Sequence, residues 1–133
     1  MTPTQVAEAF VAAINSGDVD ALAALMTPGH TFIDADGSEH SGREKLGPGW
    51  RAHLELVPDL RIEVSERFEA GDTVVLLGRA SGTISHDGKL APENHWSVPA
   101  AWRVVVEAER VAIWQLYANQ HAMHEILARL GAS

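Results

Sequence analysis

Apolar residues recur at helical spacing through the first part of the chain. Thr2 and Gln5 form a capping box around a proline, which predicts that a first helix begins here, and Gly17 predicts where it ends. Asp18 can cap a second, short helix, and residues 27–29 contain the proline and glycine that break it. The positions expected to face inward from these two helices are Val6, Phe10, Ala13, Ile14, Leu22, Leu25 and Met26.

A short apolar stretch and a third helical pattern follow. Residues 30–34 predict a strand that leads into a turn. Ser41 and Glu44 form a second capping box, so the third helix should begin near Gly42. The Gly-Pro-Gly sequence at 47–49 should bend or split this helix. Its apolar positions are Leu46, Trp50, Leu54 and Val57.

The second half of the chain changes to the two-residue period of half-buried strands. Apolar and polar residues alternate over residues 60–65, and longer strands are predicted at 73–84, 96–106 and 111–117. The polar turn at 107–110 makes the last two strands a hairpin.

A C-terminal helix should begin at Asn119 and end at Gly131. Gly78 and Gly82 lie inside a long predicted strand and indicate a strong bend in the sheet. The sequence therefore predicts an α+β domain: a cone-shaped, strongly bent, mostly antiparallel sheet, closed by the N-terminal helices and the C-terminal helix and enclosing a pocket. The inward positions of the last helix are Met123, Ile126, Leu127 and Leu130.

Composition narrows the classes of function. The chain has 133 residues, a net charge of −8 and no cysteine. This length predicts one domain over residues 1–133, and the lack of cysteine excludes disulfides and thiolate chemistry and fits a cytoplasmic location. Without a basic stripe we expect no nucleic-acid binding, and without an apolar run of ~20 residues we expect no membrane span. The histidines show no spacing typical of a metal site, so we expect neither a metal nor another cofactor.

Five segments in a characteristic order resemble a known family. They are FVAAINSGD (10–18), PDLR (58–61), GDTV (71–74), SGT (81–83) and the ending over 114–131. In order and spacing the chain resembles the SnoaL-like branch of the nuclear transport factor 2-like superfamily over nearly its whole length.

This resemblance implies a cone-shaped α+β fold that is often a homodimer through the outer face of its sheet. The family includes polyketide cyclases, ketosteroid isomerases, limonene epoxide hydrolases, dehydratases and proteins without catalysis, so fold alone leaves the function open. Ketosteroid isomerase has its catalytic aspartate where this chain has Asp34. Its oxyanion-stabilising tyrosine and protonated aspartate are replaced here by Phe10 and Ala101, so steroid isomerisation by that mechanism is not expected.

The epoxide hydrolase pattern is also incomplete. Its Arg-x-Asp pair resembles Arg79 and Ser81 here, and its second aspartate falls at Asn119. Its water-orienting tyrosine and asparagine fall at Phe32 and Asp34. Serine and asparagine cannot serve as the base and acid that an epoxide opening needs. The SnoaL-type cyclases usually carry an aspartate near Asn119 as well, so none of these three catalytic constellations is intact.

Three polar residues are the candidates for catalysis. Asp34 is either a general base in an apolar pocket or a residue of the turn that follows it. Arg79 could pair with Asp34 or bind a substrate carboxylate, or it could point outward from the sheet. His53 flanks the apolar stripe of the third helix, where it could share proton transfer or simply be hydrogen-bonded at the margin of the core.

The remaining candidates would bind the substrate. Asn119 could bind a ligand carbonyl or cap the last helix, and Tyr117 could donate to an oxyanion or pack in the core. Some of the four tryptophans should line the cavity and others should pack on the outer face. The full set of expected substrate-binding residues is Phe10, Phe32, Trp50, Ala101, Tyr117 and Asn119.

The sequence therefore predicts a cofactor-independent enzyme that binds a compact, apolar organic molecule. Asp34 would act as general acid and base in an isomerisation, a cyclisation or a dehydration, assisted by Arg79 and His53. The alternative is a non-catalytic ligand-binding or dimerisation module of the same fold.

Overall fold

The computed structural model describes residues 1–131 as an α+β fold with four α-helices and six strands. The helices and one short 3₁₀ turn are α1 (Pro3–Ser16), α2 (Val19–Ala24), α3 (Arg43–Leu56), α4 (His121–Arg129) and the 3₁₀ turn Pro92–Asn94. The strands are β1 (Met26–Ile33), β2 (Glu39–Ser41), β3 (Arg61–Ala70), β4 (Thr73–Thr83), β5 (His95–Glu107) and β6 (Arg110–Ala118). No helix among these residues is long and apolar enough to cross a membrane.

All six strands form one mixed sheet in the order β2-β1-β6-β5-β4-β3. Only β1 and β6 run parallel, and every other neighbouring pair is antiparallel. The predicted α+β class and mostly antiparallel sheet are therefore confirmed. The sheet has two free edges, at β2 and β3, so it is an open, bent sheet rather than a closed barrel.

Local signals set the first helix as the sequence predicts. The Thr2 side chain accepts the Gln5 backbone N–H, and the Gln5 side chain accepts the Thr2 N–H in return. Gly17 ends the helix with φ at +69°, a left-handed conformation that glycine adopts without strain. The Asp18 side chain caps α2 by accepting the Ala21 N–H at 3.0 Å.

The predictions around the third helix are partly wrong. Ser41 is not its cap: it belongs to β2, and its hydroxyl hydrogen-bonds Thr31 at 2.9 Å across the β1–β2 pair. The helix begins after Gly42 without a side-chain cap and continues through Pro48 without a break. β1 also begins at Met26, earlier than predicted, because its first residue pairs with Val111 of the parallel neighbour β6.

The pairing of β3 with β4 is irregular near Gly78. β3 carries one extra residue between Val64 and Glu66, and this β-bulge lies opposite Gly78. A Cβ atom on Gly78 would lie 1.8 Å from the backbone oxygen of Glu63, so only glycine fits there. Ile62 of β3 is buried, and α1 packs against this strand.

Candidate functional site

A cavity of about 720 Å³ lies between the concave face of the sheet and the helices α3 and α4. Cavities that hold small organic ligands typically measure about 300–1,000 Å³, so this one has room for a compact metabolite. Its wall is mainly apolar. The apolar lining residues are Phe32, Leu46, Trp50, Leu56, Leu60, Ile62, Ala80, Trp96, Trp102, Trp114, Leu116, Met123 and Leu127.

All four tryptophans line this cavity. Trp96 and Trp102 are six residues apart on β5, so strand alternation places both on one face. Trp114 lies opposite the buried Val104 and points to the same side, with its ring 6.2 Å from that of Trp102. The expectation that some tryptophans pack on the outer face is therefore wrong.

Asp34 contributes a carboxylate to the cavity while also shaping the turn that follows β1. Its Oδ1 atom accepts the Ala35 backbone N–H at 2.7 Å and the Gln120 Nε2 donor at 3.3 Å. Its backbone oxygen accepts the Gly37 N–H at 2.9 Å. Asp34 is thus a residue of the turn, and the turn leaves its carboxylate at the edge of an apolar space.

His53 of α3 faces the same part of the cavity. Burial lowers the pKa of its imidazole, and the negative charge of Asp34 offsets this in part by raising it. The ring meets Trp50 edge to face, with centroids 5.9 Å apart. A pKa below 6.5 leaves His53 mainly uncharged at neutral pH, so a neutral imidazole and a carboxylate share one end of the cavity.

The structure places Arg79 outside the cavity that Asp34 and His53 line. Its neighbour Ala80 lines the cavity, so alternation along β4 turns Arg79 to the opposite, outer face. There it is exposed and donates to the hydroxyl of Ser97 at 2.8 Å. The sequence indicated that Arg79 and Ser81 share a face, but only the packing of the helices decides which face is concave.

Ala101 and Tyr117 are also placed on the outer face, where they lie opposite each other on β5 and β6. Tyr117 is 54% exposed, and neither residue lines the cavity. Neither residue is therefore positioned to contact a ligand in this cavity. The inward positions of β5 are the alternate ones, Ala100 and Trp102.

Phe10 and Asn119 stand outside the main cavity too. Phe10 is fully buried behind the wall, with its ring 4.7 Å from that of Trp114. Asn119 accepts the His121 N–H at 2.9 Å at the start of α4 and borders only a small neighbouring cavity of about 40 Å³. Of the expected site residues, Asp34, His53, Phe32 and Trp50 are brought together around the cavity.

Several polar lining residues were not predicted. Gln120 and His124 lie on the same side of α4 as Met123 and Leu127. Met123, His124 and Leu127 follow Gln120 by three, four and seven residues, which is the spacing of one helix face and could have identified these residues from the sequence. The other polar lining residues are Glu39, His40, Ser41 and Lys45, which β2 and the start of α3 bring to the cavity. No group of three metal-ligating side chains occurs within residues 1–131.

Comparison with known proteins identifies relatives at the level of family and fold. The family model described as the SnoaL-like domain matches residues 7–114. No curated protein matches the chain.

Solved structures share the fold over nearly the whole chain. A protein with a ketosteroid isomerase-like fold from Catenulispora acidiphila, solved with trimethylamine, has 27% identity and a TM-score of 0.76 over 100% of this chain and 96% of that one. A protein described as a SnoaL-like polyketide cyclase from Shewanella denitrificans has 16% identity and a TM-score of 0.81 over 96% of this chain and 97% of that one. A protein described as an LEH-like epoxide hydrolase from M. tuberculosis has 16% identity and a TM-score of 0.78 over 96% of this chain and 90% of that one.

Proposed function

Because the chain belongs to the SnoaL-like domain family, we propose that it is a small-molecule enzyme of that type. It binds a compact, largely apolar organic molecule in the cavity and moves a proton on it without a cofactor. One observation carries this proposal: the Asp34 carboxylate borders a cavity whose other walls are mainly aromatic and aliphatic. A carboxylate beside such walls can take a proton from carbon when a substrate displaces water from it.

The proposed reaction begins with a carbonyl compound whose acidic C–H bond lies beside Asp34. The carboxylate takes the proton, the C–H electron pair moves toward the carbonyl, and an enolate forms. If the substrate carries a β,γ-double bond, the protonated Asp34 returns the proton to the γ-carbon and the double bond moves into conjugation, which completes an isomerisation. If the enolate carbon attacks a second carbonyl of the substrate, the new alkoxide takes the Asp34 proton and a cyclisation is complete. If the substrate carries a β-hydroxyl, the hydroxyl takes the Asp34 proton and leaves as water, which completes a dehydration. His53, mainly neutral, can donate a hydrogen bond to the developing charge.

A generic proton-transfer reaction tests this proposal without knowledge of the natural substrate. In the Kemp elimination of 5-nitrobenzisoxazole, a base takes the ring C–H proton as the N–O bond breaks, and a coloured nitrile phenolate is released. We expect the protein to accelerate this reaction over an equal concentration of acetate. Asp34→Asn should lower the rate by about 100-fold, the lower end of what a general base contributes.

Asp36→Asn is the matched control. Asp36 lies two residues further along in the same turn, is exposed and accepts the Ser38 N–H at 2.9 Å without lining the cavity. It should keep the rate of the unmodified protein. A rate equal to that of acetate, or an Asp34→Asn variant as active as Asp36→Asn, would show that Asp34 is not a base in this cavity.

A second candidate function is the binding of a small alkylamine without conversion. Four tryptophans line the cavity near a carboxylate, and aromatic faces attract alkylammonium cations. The neighbour solved with trimethylamine supports this possibility. Titration with trimethylamine at pH 7, followed by tryptophan fluorescence, should then saturate, and Trp50→Leu should weaken binding. No saturable change would remove this candidate.

We also propose that the protein is a cytoplasmic homodimer that pairs through the outer face of its sheet. Phe68 and Tyr117, each 54% exposed, and the outward Leu77 give this face an apolar character. Sedimentation should give twice the mass of 14.3 kDa, and Tyr117→Glu should shift it toward the monomer. Leu90→Glu, at an exposed apolar residue between β4 and β5, should not. A monomeric unmodified protein would contradict the dimer.

A further inference from the structure

The two oxygens of the Asp34 carboxylate have different surroundings. Oδ1 is held by two donors, the backbone N–H of the next residue, Ala35, at 2.7 Å and the side-chain amide of the distant Gln120 at 3.3 Å. No hydrogen-bond donor among residues 1–131 contacts Oδ2. A carboxylate held through one oxygen presents the other to a substrate in a defined direction, as a base requires.

Gln120 is free for this contact because its neighbour caps the helix. Gln120 occupies the cap position of α4, but its own side chain makes no capping hydrogen bond. The Asn119 side chain instead accepts the first free helical N–H, that of His121, at 2.9 Å. The amide of Gln120 can therefore reach 86 residues back along the chain to Asp34.

The helix that carries Gln120 also covers the cavity. Gln120, Met123, His124 and Leu127 line it from one side of α4. At the other end of the helix, Arg129 donates to the Glu93 backbone oxygen and to the Asn94 side chain, both at 2.8 Å. The hydrogen bond between Gln120 and Asp34 thus joins the carboxylate to the element that closes the space around a ligand.

From this geometry we propose that Gln120 is a positioning residue for Asp34: it fixes Oδ1 so that Oδ2 is the oxygen that takes the substrate proton. The inference rests on the proposed function, and it goes further by naming the reactive oxygen and the residue that orients it. Gln120 does not exchange protons, because a carboxamide neither gains nor loses one near neutral pH. Its effect should therefore fall on the chemical step and not on ligand binding.

The test uses the Kemp elimination of 5-nitrobenzisoxazole with the full chain. Gln120→Met keeps the length of the side chain and removes the donor. It should lower kcat about tenfold, less than the loss in Asp34→Asn, because the base remains but is poorly oriented. KM for the probe should stay within about twofold, since the apolar wall is intact. Gln120→Glu replaces the donor with an oxygen in a side chain of the same size and should lower kcat as well. It provides the test if Gln120→Met folds poorly.

Gln115→Met is the matched control. Gln115 lies on the outer face of β6 and accepts from Arg103 at 3.1 Å, so it loses a comparable hydrogen bond away from the cavity. It should keep kcat unchanged. If Gln120→Met and Gln120→Glu both keep kcat while Asp34→Asn loses it, the positioning role is wrong and the proposed function stands. If KM rises with kcat unchanged, Gln120 contacts the ligand instead. If Asp34→Asn itself keeps the rate, the proposed function fails first.

Discussion

Replacing Gly78 with alanine tests the close approach of the β3 and β4 backbones at this position. The added Cβ would lie 1.8 Å from the Glu63 oxygen, whereas real Cβ contacts stay above about 3.0 Å, so the strands must separate by about 1.2 Å (3.0 − 1.8). A displacement of this size breaks one or two hydrogen bonds between β3 and β4, each worth about 0.5–1.5 kcal/mol. With the strain of overpacking, we expect a loss of about 2–4 kcal/mol of unfolding free energy.

Urea unfolding followed by tryptophan fluorescence measures this loss, since all four tryptophans line the cavity. Gly29→Ala is the control: Gly29 also lies in a strand, and a Cβ there would meet nothing within 4 Å. It should be neutral or should stabilise the protein by up to about 1 kcal/mol, because alanine restricts the unfolded chain. Equal unfolding free energies for the two variants would refute the idea that close backbone approach requires glycine at position 78.

Two further predictions follow from the histidines. Asp34→Asn should lower the pKa of His53 further, because the carboxylate is the charge that raises it against burial, and an NMR titration of the imidazole that shows no change or an increase would contradict their proximity. Burial also lowers the pKa of His30, so the unfolded chain takes up protons below about pH 6.5 that the folded His30 and His53 do not. The unfolding free energy should therefore be highest above that pH and should fall as the pH is lowered. The fall should be at most about 1.4 kcal/mol per pH unit for each histidine, and it should end when the pH reaches the lowered pKa values of the folded state. Urea midpoints measured between pH 7.5 and 5.5 check this, and His30→Gln should reduce the slope.

Local hydrogen-bonding signals gave reliable element boundaries where no distant partner competed. The Thr2–Gln5 capping box and the Asp18 cap are formed as predicted, because their donors and acceptors lie within three residues of each other. Ser41 carries a similar signal and fails, because its hydroxyl finds Thr31 across a strand pair that the sequence did not indicate. A short polar strand such as β2 has no apolar alternation of its own, so only its partner reveals it.

The candidate site was also predictable only where neighbouring residues carry the signal. The positions of Asp34 and His53 beside apolar stretches indicate a place at a pocket, and the structure brings both to the cavity. Gln120 was not selected, although it contacts Asp34, because their contact joins positions 86 residues apart. The sequence around Asp34 contains no information about the sequence around Gln120, so neither predicts the contact.

By itself, the sequence determined the α+β class, the element order and the residues that share a strand face, since helical and strand periodicity are properties of neighbouring residues. Only the tertiary structure decided which strand face is concave. That choice places Ala80 and all four tryptophans inside, and Arg79, Ala101 and Tyr117 outside. The physical reason is that alternation fixes relative orientation along one strand, whereas the side that becomes a cavity depends on where helices distant in sequence pack against the sheet.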